Sequence, residues 1–424
     1  MATRRLSHVA GGLAGIVTGS AAGQGLVLLS YPVLARLYDP AEFGLLTVFT
    51  SLVGMLGILS TASLEAAVPL PRDDDAAAAV AWSGLAFAAV TSLLTVAVGF
   101  VAAGPVAELL GVPGLATVWW LMPPTILVLG VYAVTSEWMV RERSYAALGR
   151  RNLLQGLGQV VTQVGLGAAG VRPVGLLLGL GVGRLFAVGG LVSGKGLLRR
   201  RWPGLAAMRA AVRRYRRFPL LAAPSSFVNS AGLEVPLLLV SALYGDARAG
   251  LLGLTVRVVG GPSSVVGQAV HQVFMGESSA RLRESVASMG ATVRGAARRL
   301  LLVGALPALV LAAAGPPLFE LAFGPEWGEA GHYARFLVFA YLAQFVVTPI
   351  SSTLFLLERQ GQELVWGGVR LLLTAGGPLV CGLMGAPMTA AVVAMAVGGV
   401  LSYGILYVLC VRAADASDRS PAAG

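Results

Sequence analysis

The chain has 424 residues, 56% of them hydrophobic and only 12% charged, with a net charge of +11. A soluble globular protein carries about 25% charged residues. With half that share and a mean hydropathy of +0.78, this chain cannot cover its surface with polar groups, which excludes a water-soluble enzyme or binding domain and makes lipid its main solvent.

Crossing a hydrocarbon core of roughly 30 Å takes about 20 apolar residues in a helix. In chain order, twelve runs meet that need: 8–37, 43–69, 76–103, 115–138, 147–169, 172–193, 218–243, 249–275, 294–314, 332–357, 362–384 and 387–411. They are long and continuously apolar, without the short alternation of barrel strands. The predicted fold class is therefore an all-α integral membrane protein of twelve transmembrane helices. Before the first run, MATRRLSHVAGG carries two arginines. The run that follows is too long for a signal-peptide core, so Arg4-Arg5 reads as an orientation signal.

Charge gives the orientation. Of 31 basic residues, 24 fall at the termini and in the even-numbered loops, four at the other face (Arg36, Arg172, Arg248, Arg335) and three within spans (Arg184, Arg257, Arg370). Excess positive charge marks cytoplasmic loops, so both termini are predicted to be cytoplasmic, and the basic balance reads as membrane orientation with no nucleic-acid partner. The densest run, KGLLRRRWPGLAAMRAAVRRYRR at 195–217, separates two halves. The predicted organisation is 1–194 (spans 1–6), a basic cytoplasmic linker at 195–217, and 218–424 (spans 7–12 with a short cytoplasmic tail).

The halves share a motif. PVLARLYDPAEFGLL at 32–46 has a weaker copy, LLVSALYGDARAGLL, at 238–252, with six of fifteen positions identical. Among them are Leu37/Leu243, Tyr38/Tyr244 and Gly44/Gly250. A repeat half a chain apart in apolar sequence is how many transporters are built. Six spans per repeat puts both copies on one side of the membrane, at equivalent turns between spans 1–2 and 7–8.

Other motifs carry less. GLGAAG at 165–170 matches a dinucleotide fingerprint but lacks the preceding strand that the chemistry needs. Gly11, Gly15, Gly19 and Gly23 put a small-residue stripe on one face of the first helix, which reads as close helix packing. Cys381 and Cys410 both fall in spans, and His8, His271 and His332 share no ligand spacing, so no disulfide, metal or other cofactor is predicted. Asp73-Asp74-Asp75 reads as a solvated turn. No G-x-S-x-G, H-E-x-x-H or Walker A pattern occurs, so no enzyme is predicted. Pro32, Pro123-Pro124, Pro224, Pro236, Pro262, Pro307, Pro349 and Pro378 fall inside spans, where each removes a backbone donor and can kink a helix.

A family pattern runs through these features. It comprises Pro32-x-Leu34-x-Arg36-Leu37-Tyr38-x-Pro40-x-x-Phe43-Gly44, Leu64-Glu65-x-Ala67-Val68-x-Leu70-Pro71, Phe218-Pro219, Pro236, Gly245 with Ala249-Gly250-Leu251, and Phe323-Gly324-x-Glu326-Trp327-x-x-Ala330-Gly331. On these residues the chain resembles the polysaccharide (O-antigen and capsule repeat-unit) flippases of the multidrug/oligosaccharidyl-lipid/polysaccharide exporter superfamily. The resemblance implies two six-helix lobes around a central cavity in the bacterial cytoplasmic (inner) membrane. It also implies transfer of an oligosaccharide on a polyprenyl diphosphate from the cytoplasmic to the outer leaflet, beside other polysaccharide-assembly membrane proteins. A drug/cation exporter of the same superfamily is the first alternative. An intramembrane glycan polymerase or ligase is the second, and it predicts a large outer loop that the sequence lacks.

A charge at the centre of a span costs roughly 2.5–3.5 kcal/mol on insertion scales, so it faces a cavity or a partner. The candidates are Arg36, Glu65, Glu137, Arg184, Glu234, Arg257 and Arg370. A guanidinium offers a diphosphate two parallel charge-assisted bonds. Arg257 and Arg370, then Arg36 and Arg184, are thus the predicted substrate contacts, against the plainer reading that they pair with the acids. Glu65, Glu137 and Glu234 are predicted to couple transport to H⁺ or Na⁺. Gln24, Asn229, Gln159, Gln163, Gln268 and Gln344 offer sugar hydroxyls neutral donors and acceptors, or bond helices together.

Overall fold

The computed structural model describes residues 2–189, 197, 202–283, 289–357 and 359–419, with side chains from residue 19 onward apart from some in the C-terminal part of the tenth helix and at a few single positions. The protein is helical, with no strand among the described residues. In order the helices are α1 (Ala2–Leu37), α2 (Pro40–Ser60), α3 (Asp74–Leu109), α4 (Gly114–Val118), α5 (Met122–Arg141), α6 (Tyr145–Ala168), α7 (Val174–Gly189), α8 (Leu205–Arg214), α9 (Ala223–Tyr244), α10 (Asp246–Arg283), α11 (Met289–Phe323), α12 (Gly328–Ile350), α13 (Ser352–Leu356), α14 (Gln360–Leu383) and α15 (Met388–Arg419). Among the described residues, eight helical stretches are long and apolar enough to cross a membrane: Pro40–Ser60, Asp74–Leu109, Gly114–Arg141, Phe218–Tyr244, Met289–Phe323, Pro325–Leu356, Gly361–Leu383 and Met388–Arg419. The protein is a multi-pass membrane protein.

Lipid as solvent shows in how α3 faces its surroundings. Its buried side is made of small residues, Ala77, Ala78, Ala79, Ala81, Ser83, Gly84 and Ala88. Its large apolar side chains, Leu93, Leu94, Phe100 and Val101, point outward. Small residues let helix backbones approach, and bulky ones lose nothing by facing hydrocarbon.

The chain packs as two compact units, Met1–Ser230 and Ala231–Gly424. In the first, α6 lies against both α1 and α7, and α5 against α3 and α7. A cluster of Leu64, Ala67 and Val68 with Ala77–Ala81, Val134 and Trp138 forms part of its core. In the second, α12 packs on α10, α11 and α15, and α14 on α15, around Phe345, Ile350, Trp366, Tyr403, Leu406 and Cys410.

The structure departs from the predicted runs at two places that matter. The second run, read as continuous over 43–69, breaks. The helix α2 stops at Ser60, Ala62 and Ser63 take left-handed φ of 52° and 55°, and a short 3-10 turn follows at Leu64–Ala67. Consecutive non-glycine residues in that region are uncommon and costly. Inside the spans Gly114–Arg141 and Phe218–Tyr244, Pro123-Pro124 and Pro224 stand where the helix changes type: α5 follows a 3-10 turn at Trp119–Leu121 and α9 a π-helical turn at Phe218–Ala222, irregularities that fit the donor a proline removes.

Asp73 caps α3 by accepting from Ala76 N at 3.0 Å, and Asp74 pairs with Arg141 at 3.0 Å. The acidic run is thus a structural turn. No group of acids, histidines and cysteines able to hold a metal occurs among the described residues.

Candidate functional site

The second unit gathers three of the predicted residues around two tyrosines. On α14, Arg370 is 5% exposed and its guanidinium lies 4.8 Å from the centroid of Trp366, one turn earlier. Trp366 is held in turn by donating to Ser402 O at 2.7 Å and by the ring of Tyr403 at 5.5 Å. Arg370 and Thr348 both hydrogen-bond the Tyr403 hydroxyl. A methyl at Gly232 of α9 would stand 3.0 Å from Arg370 Nη2, so the glycine makes the guanidinium's place. Thr374 ties the same spot together, donating to Arg370 O at 2.8 Å. Beside Tyr403 lies Tyr341 of α12, within electrostatic reach of Glu234 on α9 and Arg257 on α10. Its ring is seated on Gly260, where a methyl would approach to 2.8 Å. Five helices therefore bring two arginines, one glutamate, two tyrosines and two threonines into one half-buried cluster.

The first unit builds a second polar interior, on α6. Arg151, Gln155, Gln159 and Gln163 recur every four residues and share one helix face, as 3.6 residues per turn requires. Arg151 is 5% exposed. It bonds Ser136 Oγ, donates to Asn152 Oδ1 at 3.3 Å and stacks over Tyr132 at 3.9 Å. Tyr132 donates to Asn152 Oδ1 at 3.0 Å, and Asn152 donates to Ser20 Oγ of α1 at 2.6 Å. The electrostatic neighbours of Glu137 are Glu65 and Arg151. Glu65 accepts from Thr61 on the broken turn after α2. Arg184 donates to Leu180 O of its own helix at 2.9 Å and has Tyr132 as its electrostatic neighbour. A niche of about 120 Å³ beside these groups is lined by the neutral donors and acceptors Ser20, Gln24, Tyr132, Asn152 and Gln155, together with Gly23, Val27 and Gly156.

The predicted residues thus separate. Glu234, Arg257 and Arg370 come together in the second unit. Glu65 and Glu137 come together in the first, with Arg184 near Tyr132. Arg36 joins neither: it is exposed and donates to Pro32 O of its own helix at 3.3 Å. Arg151 was missed, because as one of two adjacent arginines near the start of a span it counted with the cytoplasmic charge. Its four-residue spacing from three glutamines was the available signal. Tyr341 and Tyr403 carried none, since tyrosine is ordinary in spans.

The repeated motif marks equivalent joints in the two units. Tyr38, 2% exposed, donates to Gln163 O at 2.8 Å and fits against Gly167 and Gly175, where methyls would reach within 2.7 and 2.9 Å of its ring or hydroxyl. It thereby grips the α6–α7 hairpin. Burial first, then the nearby Glu42 carboxylate, pushes its phenol up to about 12, so it stays a neutral donor. In the second unit Tyr244 donates to Ala386 O at 3.1 Å, in the α14–α15 hairpin.

A family model described as polysaccharide biosynthesis protein matches residues 33–332. The succinoglycan biosynthesis transport protein ExoT of Rhizobium meliloti (strain 1021) is 28% identical over 375 residues, covering 83% of this chain and 70% of that protein. Among solved structures, an inward-facing multidrug resistance MATE family transporter of the MOP superfamily matches with a TM-score of 0.71 at 12% identity, over 94% of this chain and 96% of its own. The lipid II flippase MurJ in an inward closed conformation matches with a TM-score of 0.69 at 10% identity, over 96% of this chain and 90% of its own. At such identities the likeness is one of fold.

Proposed function

We propose that this chain, which belongs to the polysaccharide biosynthesis protein family, is a flippase that carries polyprenyl-diphosphate-linked oligosaccharide from the cytoplasmic to the outer leaflet by alternating access. In this reading it sits in the bacterial inner membrane with cytoplasmic termini. It has twelve spans in two six-helix lobes, 1–194 and 218–424, and no covalent step is needed. The observation that carries the reading is the meeting of Arg257, Arg370 and Glu234 around Tyr341 and Tyr403. Two guanidiniums suit a diphosphate. Tyrosine hydroxyls and the neutral niche of the first unit suit sugar hydroxyls. Glu234, Glu65 and Glu137 are the groups that would take up H⁺ or Na⁺. A drug/cation exporter would be expected to have a cavity richer in acids and aromatics than in arginines; the second unit sets Tyr341, Tyr403 and Trp366 beside its arginines, and it is the two arginines against one glutamate that favour an anionic substrate.

The test is flipping of a fluorescent polyprenyl-diphosphate oligosaccharide in proteoliposomes. Arg257→Ala and Arg370→Ala should slow it on the order of 10- to 100-fold, the worth of charge-assisted bonds. Arg257→Lys should restore little, because an ammonium lacks the fork. Wild-type flipping by Arg257→Ala and Arg257→Lys proteins of normal insertion would remove the assignment. Transport indifferent to pH, Na⁺ and membrane potential would remove the coupling role of the glutamates.

A further inference from the structure

Between Glu142 and Glu234 the sequence has fourteen basic residues and no acidic one. The segment from Trp202 to Arg217 holds five of the basic ones and includes α8, which is fixed to the first unit by one face. Met208 and Ala211 are buried, Ala211 within the cluster that includes Ala77–Ala81. Ser83 Oγ donates to Met208 O at 3.4 Å, and Trp202 meets Trp82 edge-on with ring centroids 5.2 Å apart. These contacts decide what the other faces show. By helical periodicity Leu205, Arg209 and Arg213 form one exposed flank, continued by Arg216 in the following turn. Arg214 stands on the opposite flank. There it lines, with Trp202, Arg72, Asp73 and Asp75, a cleft of about 1060 Å³. One flank thus faces carboxylates, and the other has no acid on its own stretch of chain.

We propose that the flank of Leu205, Arg209, Arg213 and Arg216 docks onto the anionic phospholipid headgroups of the adjoining leaflet. Charge complementarity names the anion: each arginine at an anionic bilayer surface is worth about a fivefold gain in affinity. The apolar residue on this flank names the bilayer as its source. Leu205 is 64% exposed, and basic helices that lie in the interface carry leucine beside their charges. An acidic protein surface would match the arginines but would offer that side chain no hydrocarbon.

The test uses the full chain in nanodiscs and follows amide hydrogen exchange over residues 202–217. Replacing part of the phosphatidylcholine by phosphatidylglycerol should slow exchange there, in proportion to the anionic fraction, and added salt should reverse the effect. The R209Q/R213Q/R216Q variant should lose the response, and R214Q should keep it. The three arginines are exposed and the helix is anchored by Met208 and Ala211, so unchanged exchange in α3 and α5 verifies the fold of the variant. Equal exchange in the two lipids, or a response that survives in the triple variant, would overturn the proposal. So would equal slowing by inorganic phosphate in phosphatidylcholine nanodiscs, which would make the ligand a free anion.

Discussion

Arg151 and Arg36 show how differently two arginines of one unit are held. Arg151 is enclosed by Tyr132, Ser136 and Asn152, with Glu137 as its charged neighbour. Removing one member of a buried, bonded charge system typically costs 3–5 kcal/mol, because the partner is left unmatched. Arg151→Ala is therefore expected to lower the detergent-solubilised protein's melting temperature by several degrees. Arg36→Ala, which gives up one exposed local bond, should stay within about 0.5 kcal/mol. Thermal unfolding of the two purified variants, side by side, checks the contrast. Loss of flipping in Arg36→Ala at unchanged stability would mark a contact made with substrate rather than with the protein.

At the scale of the element, backbone proximity decides which glycines matter. A methyl at Gly23 of α1 would collide with the backbone carbonyl of Asn152 on α6, whereas a methyl at Gly25 meets nothing within 4 Å. Overpacking costs typically 1–3 kcal/mol, and alanine is better than glycine in a helix by roughly 0.5–1 kcal/mol where space allows. Gly23→Ala should destabilise the first unit and Gly25→Ala should stabilise it slightly, by the same melting measurement. Gly11 and Gly15 of the predicted stripe lie outside the described side chains. The break after α2 has its own signature. Ala62→Gly, which removes a Cβ from a left-handed position, should gain about 1 kcal/mol. A loss there would mean that the alanine methyl contributes packing worth more than the strain.

For the whole molecule, the charge distribution makes the firmest prediction. With 24 of 31 basic residues on one side of the predicted topology, a reporter active only in the cytoplasm should work when fused after Arg419. A reporter active only outside it should work when inserted after Gly324, between α11 and α12. Activity with the reverse pattern would invert the orientation and with it the direction of transport. The repeat adds a constraint of the same scale. Tyr38 and Tyr244 each clasp the hairpin that closes their own unit, so the two copies of the motif do one mechanical job at two places.

Much of the fold was legible because lipid imposes a simple rule. Every backbone group must be satisfied within its own helix, so runs of apolar residues announce helices without reference to anything distant. The turns were legible where chemistry is local, as at Asp39-Pro40-x-Glu42, whose capping box is formed by side chains three residues apart. The break at Ala62-Ser63 was not, because those residues do not prefer a left-handed backbone and only their surroundings impose it. The candidate site divides in the same way. That Arg257, Arg370 and Glu234 needed partners followed from the cost of a charge in hydrocarbon. Which partners they found did not, because Gly232 and Arg370 are 138 positions apart in the chain, and only packed helices bring such positions together. By itself the sequence determined the solvent, the all-helical class and the repeat, and it predicts the sidedness of the charge. The tertiary structure alone decided that Arg36 stays outside the clusters, that Arg151 goes in, and that two tyrosines join the charges of the second unit.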